Sequence, residues 1–137
     1  MADVTITAAN VIAPNPVQLR RKWAAEDITA GQPVRDDPSD STSLLLSQAT
    51  TVAAAKCVGI AANSAKKYQP CIYFRDQDID FGSGVFVQGE TYVVSATKGA
   101  LAPESDLGSG ESSTKVGMAT STSNLSCRIH ESGVLIP

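Results

Sequence analysis

Aromatic side chains are scarce in this sequence. Three Phe, three Tyr and one Trp make up 5% of the 137 residues, whereas 42% of the residues are hydrophobic. The core must therefore be built mainly from Val, Ile, Leu and Ala. Long apolar runs are also missing: no window holds the 18 consecutive apolar residues that suggest a transmembrane helix. The first residues, MADVTITAANV, lack the basic region and apolar run of a signal peptide, so we expect synthesis in a cytoplasm.

Cysteine and histidine are too few to form the common covalent or metal frameworks. Cys57, Cys71 and Cys127 are an odd number without close pairing, which does not predict a disulfide framework. A Cys57–Cys71 bridge between neighbouring strands is left open. His130 is the single histidine and cannot form a common zinc site alone, and no G-x-S-x-G motif is present. We predict no catalytic residues, no metal, no cofactor and no enzymatic activity.

Basic charge is limited and concentrated at one place. The formal net charge is −3 and the isoelectric point is near 5.0, which argues against binding to nucleic acid. The one basic cluster is Arg20, Arg21 and Lys22, which Trp23 follows. Such a cluster is either a solvated face or a contact for a phosphate or an acidic partner.

One acidic stretch imitates the beginning of a calcium-binding loop. Asp76, Asp78 and Asp80 alternate as in an EF-hand, but Phe81 stands where the loop needs Gly and Val87 stands where it needs Glu. Two interpretations are open: a strand that runs out of the core into solvent, or a weak cation site.

The same phrase occurs twice. CVGIAANS begins at Cys57 and KVGMATST begins at Lys115, and in each half the glycine follows an earlier glycine by 28 residues. An offset of 58 residues aligns the halves, which predicts two related units, residues 28–82 and 86–133. Short segments with frequent Gly and Pro turns favour an all-β fold, a small barrel or sandwich.

The repeated glycines, Gly59 and Gly117, indicate a bulge or a close approach of two backbones. Val58, Ile60, Val116 and Met118 are then expected to point inward.

Residues 1–25 are expected to form an extended N-terminal arm, in front of a β-domain at residues 26–137. Val4–Thr7 alternates like a short strand, and Pro14 and Pro16 keep the chain extended. The Ala-rich stretch at residues 48–56 is the single helix candidate.

Four runs carry a resemblance to a known family: ITAGQPV at residues 28–34, VGIAANSA at 58–65, QGETYVVSATKGALAPESDLGSG at 88–110 and VGMATSTSNLSCRIHESGV at 116–134. Together they resemble the small capsid decoration, or cement, proteins of tailed bacteriophages and prophages. The resemblance implies a non-enzymatic virion protein on the outer capsid surface, often a trimer. Its partners would be the major capsid protein and further copies of itself, with no nucleic acid and no membrane.

By analogy, the arm would contact the capsid, with Arg20, Arg21, Lys22 and Trp23 as anchors. Deleting residues 2–23 is then expected to abolish head binding and leave the barrel folded. The alternative is a fibre-tip or baseplate module that binds a host-surface glycan. That function needs exposed aromatic rings, for which Trp23, Tyr68, Tyr73 and Tyr92 are the candidates.

Overall fold

The computed structural model describes residues 3–12 and 19–137, except for the side chain of Leu19. Strands account for 45% of the chain and helical residues for 5%. The predicted all-β fold is confirmed. In the described part, helical residues are limited to two 3₁₀ turns at Ala8–Asn10 and Glu104–Asp106.

Ten strands within the described residues form two layers. In the barrel, the strands close in the order β1-β3-β2-β4-β5; in the second layer, called the open sheet, the order is β6-β10-β9-β7-β8. The strands are β1 (Leu19–Ala24), β2 (Pro33–Asp37), β3 (Asp40–Leu46), β4 (Gly59–Ala61), β5 (Pro70–Phe74), β6 (Asp78–Asp80), β7 (Thr91–Val94), β8 (Leu101–Pro103), β9 (Ser112–Ala119) and β10 (Asn124–Leu135).

Strand β1 closes the barrel, which corrects the predicted arm at residues 1–25. It runs parallel to β3 and antiparallel to β5, with Cα partners from Leu19↔Phe74 to Trp23↔Pro70. Without β1, both neighbouring strands would expose unpaired N–H and C=O groups, which is why this segment belongs to the domain. The predicted boundary at residue 26 was therefore wrong.

Residues 3–12, called the strap, run from one edge of the open sheet to the other. The Val4 backbone N–H donates to the Leu101 carbonyl of β8 at 2.9 Å, and Ile12 exchanges two backbone hydrogen bonds with Asp80 of β6, at 2.8 and 3.0 Å. The strap therefore satisfies backbone groups at both sheet edges. The predictions for Pro14 and Pro16 lie outside the described residues.

Two hydrophobic clusters follow from the alternation of side chains along the strands. On β5, Cys71 and Tyr73 point into the barrel, whereas Phe74 packs against the open sheet. The barrel cluster comprises Ala24, Ile28, Val34, Leu44, Leu46, Ala61, Ala65, Cys71 and Tyr73. The interlayer cluster comprises Cys57, Ile60, Phe74, Ile79, Phe81, Phe86, Tyr92, Val94, Leu101, Val116, Ala119, Leu125 and Cys127.

The two halves of the chain have the same strand order. Neighbouring strands run β3-β2-β4-β5 in the barrel and β8-β7-β9-β10 in the open sheet, all antiparallel. The pair Val34↔Gly59 recurs as Tyr92↔Gly117, which is the 58-residue offset seen in the sequence. The part that recurs is thus a four-stranded unit, β2–β5 in the first half and β7–β10 in the second. Strand β1 closes the first unit into a barrel, and β6, at the end of the first repeat, joins the open sheet beside β10.

Both repeated glycines lie where two backbones come close together, as predicted. A Cβ on Gly59 would stand 2.7 Å from the Tyr73 ring and 2.8 Å from the Phe74 carbonyl oxygen. A Cβ on Gly117 would overlap the carbonyl oxygen of Ser126. A larger residue would therefore push the neighbouring strand away at either position.

The neighbours of these glycines follow the prediction only in part. Ile60 and Val116 are fully buried and Val58 is partly buried, but Met118 is 51% exposed. The prediction for Met118 was wrong because the register of β9 against β7 shifts at Val116, and this extra residue leaves Val116 inward and Met118 on the uncovered outer side. The predicted helix at residues 48–56 is also not formed: the chain makes turns there, including one Ala55 N–H to Thr51 carbonyl bond of 3.0 Å. An Ala-rich segment this short does not sustain a helix by itself.

Candidate functional site

The four basic and aromatic residues predicted as anchors lie on β1, where alternation separates them. Ala24 points into the barrel and is 1% exposed, so Lys22 projects from the inner side of the strand and Trp23 from the outer side. Arg21 shares the outer side with Trp23. The structure therefore divides the predicted set into two pairs with different surroundings.

Lys22 forms an ion pair within the barrel. Its ammonium lies 2.6 Å from Asp36 Oδ1 on β2, and the two side chains are 25% and 43% exposed. Lys22 is the cross-strand partner of the buried Cys71. Its long side chain extends away from the apolar interior, so that the ammonium lies at the Asp36 carboxylate. A half-exposed pair of this kind contributes about 0.2–1 kcal/mol. Lys22 is accordingly a barrel residue and a poor candidate for partner contact.

The outer side of β1 carries a large aromatic ring beside a cation. Trp23 is 49% exposed and Arg21 is exposed, whereas Arg20, also exposed, projects from the same side of the strand as Lys22. Neither arginine makes an ion pair within the described ranges. The Cα partners of Trp23 are Ser43 on β3 and Pro70 on β5, so its backbone is fixed from both sides. Trp23 is thus presented from a rigid strand.

Tyr68 extends this surface. Its ring is 76% exposed, and its backbone N–H donates to the Ala24 carbonyl at 2.7 Å, at the end of β1. The Lys67 ammonium lies 5.1 Å from the centre of the Tyr68 ring, within cation–π range. We call Arg21, Trp23, Lys67 and Tyr68 the β1 face.

Tyr68 could not have been assigned to this face from the sequence. Its φ is +73°, a left-handed conformation that costs a non-glycine residue roughly 1–2 kcal/mol. The hydrogen bond to Ala24 holds it there. Lys66-Lys67-Tyr68 reads only as a polar loop, and no local pattern shows that it ends beside β1.

The acidic stretch at residues 76–80 does not assemble a cation site. Asp76 lies 3.3 Å from the Arg75 guanidinium, Asp80 accepts from the Gly82 backbone N–H at 2.8 Å, and Asp78 is exposed. In the ranges that the structure covers, no group of His, Cys, Asp and Glu side chains could hold a metal ion. Asp76 is therefore engaged in a local ion pair and Asp80 in a local turn.

The three cysteines are free and buried. Cys57 belongs to the interlayer cluster and Cys71 to the barrel cluster, so the bridge left open by the sequence is not formed. Burial, together with the neighbouring Cys127, raises the pKa of the Cys57 thiol to about 12. Burial also raises the pKa of Cys71 and of Cys127 to about 11. All three thiols are therefore protonated and unreactive at neutral pH.

Comparison with models of protein families gives no match for this chain, and no curated protein matches its sequence significantly. Over the described ranges, no helix has both the length and the apolar character needed to cross a membrane.

Proposed function

We propose that this chain is a non-enzymatic structural protein of a bacteriophage virion, which binds the outer capsid surface and stabilises the head as a decoration protein. Its partners would be the major capsid protein and further copies of itself, as a homotrimer. Two things support the proposal: the resemblance of residues 26–134 to the decoration proteins, and the β1 face.

The β1 face is the observation that carries the proposal. Trp and Arg are the residue types that most often dominate binding energy at protein interfaces. Trp23 and Arg21 stand on a strand that is hydrogen-bonded on both sides, so little conformational freedom is left to lose on binding. Arg21 of this face, and Arg20 on the other side of β1, have no carboxylate partner in the described chain, which leaves them available for acidic groups of a capsid.

Assembly into a trimer would strengthen a modest contact. When one copy is bound, linked copies meet the surface at high effective concentration, so the overall affinity exceeds that of a single face. A face of four exposed residues, repeated in each copy, would then hold more firmly than a single copy could.

Binding to isolated heads tests the proposal. The double variant Arg21→Ala, Trp23→Ala is added to heads that lack this protein, and its copy number per head is measured by electron microscopy. We expect the affinity to fall at least about 30-fold, because loss of a hot spot costs about 2 kcal/mol or more. Val87→Ala, which removes another exposed apolar side chain, is the matched control and should bind normally.

The amide spectrum of the double variant establishes that its barrel is intact. A folded double variant that reaches full occupancy on heads at wild-type concentrations would disprove the role of the β1 face. No occupancy by the wild-type chain would disprove the proposed function itself.

The exposed rings of Trp23 and Tyr68 also favour the second candidate function, a fibre-tip or baseplate module that binds a glycan. Two exposed aromatic rings at the end of β1 offer faces on which sugars stack, whereas Tyr73 and Tyr92 are buried. Tyr68→Ala separates the two candidates. Binding of the wild-type chain to host-surface polysaccharide that is lost in Tyr68→Ala, together with no occupancy of heads by the wild-type chain, would favour the glycan module.

A further inference from the structure

The outer face of the open sheet carries a shallow cleft of about 330 Å³. It lies on the side of β9 and β10 that points away from the barrel, because Ala119, next to Met118, and Cys127, next to Ser126 and Arg128, point the other way into the interlayer cluster. Its walls are side chains of three neighbouring strands: Thr91 of β7, Lys115 and Met118 of β9, and Ser126, Arg128 and His130 of β10.

The cleft gathers basic groups in a chain whose net charge is negative. Lys115 and His130 are direct cross-strand partners, and Arg128 lies two residues before His130 on the same face. Among the residues that the structure describes, no Asp or Glu lines the cleft. Within the same residues, the carboxylate paired with a lining residue is Glu104, 3.6 Å from the Lys115 ammonium, and both side chains are 47% exposed. An ion pair this exposed is weak, so a carboxylate of a partner can replace Glu104 at Lys115.

The guanidinium of Arg128 is held in place by a hydrogen bond to the backbone. Its Nη1 donates to the carbonyl of its own neighbour, Cys127, at 2.7 Å, which restricts the long side chain and leaves further N–H donors available. The backbone of Gly117 also lines the cleft.

The internal repeat shows that this face is exposed at a position whose equivalent in the barrel is buried. Ile60 of β4 and Met118 of β9 are equivalent, since they pair with Pro33 and Thr91 at the same 58-residue offset. Ile60 is fully buried because the open sheet covers it, whereas Met118 is 51% exposed. The same position of the fold is therefore covered in one half and uncovered in the other.

Only part of this outer face is without cover. Val93 of β7 pairs with Lys115, and so shares its face, yet Val93 and its partner Ala102 on β8 are 0% and 2% exposed. Strand β7 contacts the 3₁₀ turn Glu104–Asp106, which follows β8. The uncovered region is thus confined to β9 and β10, where the basic groups are.

We propose that this cleft binds an extended segment of a partner protein that carries carboxylates at alternate positions. Two residues along a strand span about 7 Å, which separates Arg128 from His130. An extended peptide places its alternate side chains at the same spacing, so two carboxylates meet two basic groups while an apolar side chain contacts Met118. Arginine suits this role because its planar fork binds a carboxylate through two parallel hydrogen bonds.

Nuclear magnetic resonance titration of the ¹⁵N-labelled full chain tests this inference. The probe is a synthetic peptide of alternating Glu and Thr. A second peptide has the same composition but all its Glu residues in one block, and a third has Gln in place of Glu. We expect saturable shifts at residues 115–118 and 126–130 with the alternating peptide, weaker binding of the block peptide and no binding of the Gln peptide.

Variants make the test specific. Arg128→Ala and Lys115→Gln should each weaken binding about two- to fivefold, as expected for exposed ion pairs. Arg20→Ala, which removes an exposed arginine on the barrel, is the matched control and should bind as the wild type does. Glu104→Gln should tighten binding, because it removes the carboxylate that competes for Lys115.

The inference does not rest on the proposed function, and its failure would leave that proposal intact. Equal binding of the alternating and block peptides would overturn it. So would shifts of the same size in Arg128→Ala, or saturation of the cleft by inorganic phosphate at the same ionic strength and affinity.

Discussion

At the scale of single residues, the two repeated glycines show how a short sequence phrase is fixed by a contact between strands. Gly59 and Gly117 occupy equivalent places, each against the backbone of the next strand. The reason for glycine here is space and not a left-handed conformation, since neither has a positive φ.

Gly117→Ala is expected to destabilise the protein by roughly 1–3 kcal/mol, because the added Cβ would overlap the Ser126 carbonyl and force β9 and β10 apart. Gly59→Ala should cost somewhat less, since part of its contact is the Tyr73 ring. Urea unfolding measures both changes. Gly108→Ala is the control: its nearest atom is Glu111 Oε1 at 3.4 Å, and the change should be close to neutral. Equal stability of the Gly108 and Gly117 variants would contradict this explanation.

At the scale of elements, the N-terminal region is made of two pieces with different tasks. The strap joins the two edges of the open sheet, and its residues Val4, Ile6 and Val11 pack against the interlayer cluster. Strand β1 closes the barrel. The deletion of residues 2–23, expected from the sequence to leave the barrel folded, would remove most of β1 and so cannot isolate a binding function.

Two truncations should therefore behave differently. Removal of residues 1–12 is expected to leave a folded protein of lower stability, with faster amide exchange at β8 and β6, where Leu101 and Asp80 lose their partners. Removal of residues 1–24 should abolish cooperative folding, because β3 and β5 become open edges and Ala24 leaves the barrel cluster. Hydrogen exchange and urea unfolding distinguish the two. A native-like amide spectrum after the longer truncation would restore the interpretation of this segment as an arm.

At the scale of the whole molecule, the barrel and the open sheet share one core. Ile60 and Phe74 belong to barrel strands, yet both are fully buried in the interlayer cluster. Neither layer can bury its apolar surface alone, so we expect them to unfold together.

Labelling of the three buried thiols measures whether the layers unfold together. Cys71 lies inside the barrel, whereas Cys57 and Cys127 lie between the layers. In urea at pH 8, all three should become reactive towards a thiol reagent over one transition, as resolved by mass spectrometry of labelled peptides. Phe74→Ala, which removes a shared side chain, should shift the labelling of all three equally and cost about 3–5 kcal/mol. Labelling of Cys71 in a separate transition would show that the layers unfold independently.

The same thiols give the stability a pH dependence. Their pKa values are raised to about 11–12 in the folded chain, above the ordinary value of 9.0, so the folded state holds protons that the unfolded state releases. This contribution is complete below pH 9 and declines as the pH rises from there towards 12. Replacing Cys57 by Ala should make the free energy of unfolding fall less steeply with pH, as measured by urea unfolding between pH 8 and pH 10.

The sequence predicted the fold better than it predicted the surface. The repeat and the Gly and Pro turns indicated an all-β barrel or sandwich, which is what forms. The candidate site was predicted in part: Trp23 and Arg21 are exposed on one side of β1, but Lys22 is paired with Asp36. Tyr68 and the cleft at Arg128 were not predicted, since both depend on which strands meet.

The sequence by itself determined the strand periodicity, the repeat and the glycine positions, because these follow from local backbone geometry and the spacing of apolar residues. Only the tertiary structure decided that residues 19–24 complete the barrel, that Ile60 is covered while Met118 is not, and that basic groups gather on the outer side of β9 and β10. The physical reason is that pairing between strands and packing between layers join residues far apart in the chain. Their choice depends on the total surface buried and on which backbone groups find partners, and no local pattern records either.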